Sequence, residues 1–159
     1  MWNKIKPYLI SILLALSVGG LSALLTMGNM DIYTKIVVPP IAPPSILFPI
    51  VWTVLYILMG ISAAIIFTIN HQEDFNKIKC GIKAYGISLF FNFLWSIIFF
   101  NFKWFGFAFF WLLGLLFFII KTIVCYYKVN KLAAYFQIPY ALWVTFAGYL
   151  NFSIWMLNM

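Results

Sequence analysis

Five long apolar runs separated by shorter polar stretches set the rhythm of this 159-residue chain. None of them alternates polar and apolar positions with a period of two, so none reads as a barrel strand. A helix satisfies its own backbone hydrogen bonds in a medium without water, and each run is long enough for one. The runs predict helices at approximately 8–28, 46–69, 80–100, 104–127 and 134–157. The first holds about twenty uncharged residues from Tyr8 to Met27, which at 1.5 Å per residue crosses a hydrocarbon core of about 30 Å. Its apolar run continues past Leu21, Ser22 and Ala23, where a signal peptide would be cut, so it reads as a retained span. In the last run Pro139 is placed in the first helical turn, after an amphipathic turn beginning at Val129. The expected fold is therefore an all-α integral membrane protein, one domain built as a five-transmembrane-helix bundle.

The connections differ in character. Residues 29–45 carry Pro39, Pro40, Pro43 and Pro44, which fix φ and remove backbone donors. This predicts an extended, polyproline-like lid meeting the start of the second helix, with Ser45 as its N-cap and Pro49 in its first turn. Asn70 to Lys79 is the most polar stretch and holds His71, for which the sequence positions no partner. Within the apolar runs, residues of special type recur at helical spacing. Trp52, Tyr56, Gly60 and Ala63 share a face of the second helix, as do Ser88, Asn92, Trp95 and Phe99 on the third. Trp143, Ala147, Leu150, Asn151 and Ile154 do the same on the fifth. Ala15, Gly19 and Ala23 form a row of small residues on the first helix, open to close approach by another helix of this chain or of a second copy. Gly106 and Gly114 permit tight contact on the fourth.

Composition agrees with a membrane protein: 65% of residues are hydrophobic and 8% charged, against about 25% charged in soluble domains. The net charge of +7 comes from ten lysines without an arginine. They lie in the gaps between runs and form no basic face, so they report topology rather than nucleic-acid binding. Lys4, Lys6, Lys77, Lys79, Lys83, Lys121, Lys128 and Lys131 fall on the side of the N-terminus, and Lys35 and Lys103 opposite. The bias places the N-terminus inside, with the C-terminus and the lid outside. Asp31, Glu73 and Asp74 are the three acids, all in connections, which leaves no intramembrane carboxylate for a proton relay. No catalytic set, phosphate loop or metal-ligand spacing occurs, and Cys80 and Cys125 read as isolated, unpaired thiols. No catalytic residue, metal or cofactor is expected. The indoles, phenols and few amides that remain suit a large, flat, apolar ligand held by stacking.

Four motifs carry a family resemblance. They are Pro39-Pro40-x-x-Pro43-Pro44; Phe48-x-x-Val51-Trp52-x-x-Leu55-Tyr56-x-x-Met59-Gly60; Asn92-x-x-Trp95; and Pro139-Tyr140-x-x-Trp143-x-x-Phe146-Ala147-x-x-Leu150-Asn151-x-x-Ile154-Trp155. Over nearly its whole length the chain resembles the tryptophan-rich sensory protein or translocator protein family (TspO, the peripheral-type benzodiazepine receptor). The resemblance implies a five-helix bundle, usually a homodimer, whose pocket beneath the first loop binds porphyrins such as protoporphyrin IX. In animal members it implies cholesterol and synthetic isoquinoline carboxamides as well. Carried over position by position, the ligand-binding residues are Tyr33 on the lid, Trp52 and Tyr56, Asn92 and Trp95, and Trp143, Ala147 and Leu150. The C-terminal segment departs from the family's cholesterol-recognition pattern, since Leu150, Phe152 and Met156 supply neither its tyrosine nor its cation, and sterol is not expected as the natural ligand. The implied function is sensing, sequestration or transport of porphyrins. The alternatives are light- and oxygen-dependent porphyrin degradation in the same pocket, and a structural or regulatory partner subunit.

Overall fold

The computed structural model describes residues 2–69 and 75–159. It contains five α-helices: α1 (Trp2–Thr26), α2 (Leu47–Phe67), α3 (Phe75–Ser96), α4 (Phe105–Tyr127) and α5 (Lys131–Leu157). No strand occurs among the described residues. Four segments, Ile5–Thr34, Leu47–Phe67, Phe75–Asn101 and Phe105–Tyr127, are long and apolar enough to cross a membrane. α5 has the length, 27 residues, but Gln137, Asn151 and three tyrosines dilute its apolar run.

The helices close into a ring in the order α1, α2, α5, α4, α3 and back to α1, with the α1–α3 seam the sparsest. Small residues decide where the helices come closest. At Gly60 the backbone of α2 meets that of α1, and a Cβ there would lie 2.5 Å from the Ile12 Cα and 2.8 Å from its nitrogen. The Tyr56 ring lies against Gly19, so α2 of the same chain is a partner of the small-residue row on α1. On α4, Gly106 seats the Trp155 indole and Gly114 the Phe91 ring. The contact between α2 and α5 includes a buried polar cluster: Ser62 Oγ donates to the Ala133 carbonyl at 2.7 Å and accepts from Gln137 Nε2 at 3.1 Å.

Several local features depart from the sequence expectation. α5 begins at Lys131, because the Asn130 side chain accepts from the Ala133 N–H and caps the helix there. Pro139 is therefore inside α5, where its missing N–H removes one helical bond. Ile46, not Ser45, holds the cap position of α2 and makes no side-chain bond. The chain enters α2 through backbone bonds from Leu47 and Phe48 N–H to the Pro44 and Ser45 carbonyls. The lid is extended only in part, since Met27–Thr34 continues α1 as a 3-10 helix and a turn from Pro39 closes on the Ala42 N–H at 2.9 Å. Cys80 and Cys125 are not unpaired: they form a disulfide with Cα atoms 6.3 Å apart. Antiparallel α3 and α4 bring these two positions within bonding reach. His71, Glu73 and Asp74 lie outside the described residues.

Candidate functional site

The sparse α1–α3 seam opens into a cavity of about 400 Å³. α1 gives it Gly19, Ser22, Ala23 and Thr26, side chains too small to fill the space that α2 and α3 leave. Trp52 and Tyr56 of α2 form one wall and Asn92 and Trp95 of α3 another, with Tyr33 and Phe48 at the lid end. No charged side chain lines it. Ser22 and Thr26 spend their hydroxyls on backbone carbonyls: Thr26 Oγ1 donates to Ser22 O at 2.9 Å and Ser22 Oγ to Phe93 O at 3.4 Å.

Buried amides hold the aromatic walls in place. Asn92 Nδ2 donates to the Tyr56 hydroxyl at 3.2 Å, tying α3 to α2. Trp95 Nε1 donates to Asn151 Oδ1 at 3.2 Å, and Asn151 Nδ2 in turn donates to the Phe105 carbonyl at 2.7 Å, so one asparagine of α5 orients a cavity indole and fixes the start of α4. Trp52 packs against Tyr56 with ring centroids 5.7 Å apart and meets Tyr140 edge-on at 6.2 Å.

The lid is tied at both ends. Asn29 Nδ2 donates to Asn101 Oδ1 at 3.0 Å, and Asn101 Nδ2 to the Leu25 carbonyl at the same distance. Farther along, Asn158 accepts from the Val37 N–H at 2.9 Å and donates to the Val37 carbonyl at 2.8 Å. That two-point clamp joins the proline-rich stretch to the end of α5. Asp31 and Lys35 pair on the exposed side of the lid.

A neutral, aromatic cavity under a pinned proline-rich lid can hold an apolar ring system. Residues 11–156 match the model of the TspO/MBR family. The chain belongs to the TspO/MBR family. It is similar to the tryptophan-rich protein TspO of Chlorobaculum tepidum, 36% identical over 126 residues that cover 79% of this chain and 78% of that one. The tryptophan-rich protein TspO of Archaeoglobus fulgidus is 34% identical over 149 residues, 93% and 94% of the two chains. The translocator protein of Bos taurus is 31% identical over 147 residues, 89% and 85%. Membership of the TspO/MBR family and four apolar helices make this an integral membrane protein.

Of the residues that the TspO/MBR resemblance singles out, Tyr33, Trp52, Tyr56, Asn92 and Trp95 line the cavity. The three from α5 do not. Ala147 and Leu150 border a separate space of about 10 Å³, with Asn151 and Ile154, and Trp143 packs against Phe48 at 5.9 Å. The contribution of α1 went unread in the sequence, as did that of Phe48. Gly19, Ser22, Ala23 and Thr26 stand on neighbouring turns of one helix, but in an apolar run they carry the same signal as ordinary helix packing.

Proposed function

We propose that this TspO/MBR protein binds porphyrins such as protoporphyrin IX in the cavity beneath its proline-rich lid, and that it senses, sequesters or carries them. The observation that supports this most is the cavity itself. At about 400 Å³ it falls within the range of small-molecule pockets, mostly apolar with a few placed polar groups. Indole and phenol faces suit a flat conjugated ring, and Asn92 with Tyr56 supplies a polar point for orientation. The words "sensory protein" and "translocator" in the names of relatives from Cereibacter sphaeroides and Bos taurus agree with sensing or carrying. Titration of protoporphyrin IX into the purified protein in lipid nanodiscs is expected to quench tryptophan fluorescence to saturation. Loss of one stacking wall in Trp52→Ala should weaken binding about tenfold, or about 1.4 kcal/mol. Equal affinity in the variant would place the ligand elsewhere.

The same proposal takes α5 as a fifth span. Its 27 residues reach about 40 Å at 1.5 Å per residue. The polar groups that lower its hydropathy, Gln137, Tyr140 and Asn151, are buried in the bundle, while Leu132, Leu142, Phe152 and Leu157 face outward. With five spans the lysine bias puts the N-terminus inside and the lid outside. In a Cys80→Ser, Cys125→Ser background, a membrane-impermeant maleimide added to intact cells should label Lys35→Cys and spare Lys128→Cys. The reverse pattern inverts the topology.

A further inference from the structure

Tyr33 and Phe48 stand between the two spaces, since both rings border the larger cavity and the smaller one, with Trp95 the only other residue common to them. Their rings stack with centroids 5.5 Å apart and 29° between planes. Tyr33 also meets Phe99 and Phe100, at 6.4 and 6.3 Å, and Phe48 lies edge-on to Trp143. Both residues sit at the ends of their elements, Tyr33 in the last turn of the 3-10 helix and Phe48 in the first turn of α2. Among the described residues, no side-chain hydrogen bond ties the Tyr33 ring, so ring contacts hold the pair. Element ends of this kind open more readily than helix centres.

On the far side is a wall that has no ligand space of its own. The region bordered by Ala147, Leu150, Asn151 and Ile154 measures about 10 Å³, room for about one water molecule. Trp143, packed on Phe48 and outside the larger cavity, has a buried Nε1–H without an acceptor. Buried donors are nearly always paired, so an unpaired one calls for an explanation.

We propose that Tyr33 and Phe48 form an aromatic partition that sets the size of ligand this protein accepts. Closed, it leaves a cavity for a small planar aromatic molecule. Swung aside, it joins that cavity to the α5 wall, bringing Ala147 and Leu150 to the ligand and uncovering Trp143, whose indole N–H then has a ligand acceptor within reach. A tetrapyrrole that starts in the larger cavity and reaches the α5 wall needs the opened form, a step that rests on the porphyrin reading above.

The test compares two probes, protoporphyrin IX and the smaller aminoanthracene, by stopped-flow tryptophan quenching in nanodiscs. For the wild-type protein the observed rate with porphyrin should level off at high concentration, because opening precedes binding. In Phe48→Ala it should rise linearly, and with an open form populated at no more than about 10% in the wild type, apparent porphyrin affinity should increase about tenfold or more. Aminoanthracene, which fits the closed form, should bind both proteins with a rate that rises linearly with concentration, and saturable binding in each reports an intact larger cavity. Phe48→Leu, a smaller change, serves if the alanine variant does not fold, with the same direction expected. Identical porphyrin rates and affinities in wild type and variant overturn the partition and leave porphyrin binding standing. Aminoanthracene binding with no porphyrin binding in either protein overturns both.

Discussion

Gly60→Ala should destabilise the protein by about 3 kcal/mol, the upper end of the usual overpacking range, and Gly60→Leu should leave little folded material. A Cβ at this position meets the Ile12 backbone at 2.5 Å. A flexible side chain could step aside, but a helix backbone moves only by shifting the whole of α1. Spreading α1 from α2 would also lift Gly19 from the Tyr56 ring and widen the seam that holds the cavity. Gly86 is the control, because nothing lies within 4 Å of a Cβ built there and Gly86→Ala should gain about 0.5–1 kcal/mol from helix propensity. Denaturant unfolding of the three variants in one detergent measures the difference. Equal stability of Gly60→Ala and Gly86→Ala would mean that the helices do not touch there.

Asn151→Leu carries the second large effect. The side chain accepts from Trp95 and donates to the Phe105 carbonyl, so its loss leaves the buried Trp95 N–H without a partner and takes the side-chain bond from a carbonyl that α4 still pairs in its first turn. An orphaned buried donor costs about 1–3 kcal/mol and a lost buried hydrogen bond about 1 kcal/mol, so a total near 3 kcal/mol is expected. The same change frees the Trp95 indole to rotate in the cavity wall, so ligand affinity should fall along with stability. A double-mutant cycle with Trp95→Phe separates the two bonds. Once the indole N–H is gone, Asn151→Leu should cost about 1 kcal/mol less than in the wild type. Full additivity would show that the 3.2 Å contact contributes nothing.

The helices were legible because run length and the absence of period-two alternation need no knowledge of neighbours. Faces were legible for the same reason, as Tyr56, Gly60 and Ala63 on α2, and Asn92 and Trp95 on α3, are buried together. What depends on the order of helices around the ring was not. Cys80 and Cys125 are 45 residues apart in the chain, and only the antiparallel packing of α3 and α4 makes them neighbours. The cap of α5 was missed for a local reason: Asn130 outweighs the stop signal that Pro139 gives, since a proline inside a helix forfeits one bond while a good cap secures the first turn. Motif resemblance brought together Trp52, Asn92 and Trp143 as one set. In the structure Trp52 and Asn92 line the larger cavity while Trp143 packs on Phe48 outside it, a matter of side-chain placement at an element end.

The ring order also bears on how the molecule is made. α2 leaves the ribosome second, yet the helix that covers its far flank is α5, the last, through the Ser62, Gln137 and Ala133 bonds. The bonds at Ser62 therefore join the second helix of the chain to the last, and they form only once the whole chain has been made. A piece of the chain that ends before α5 cannot close the ring.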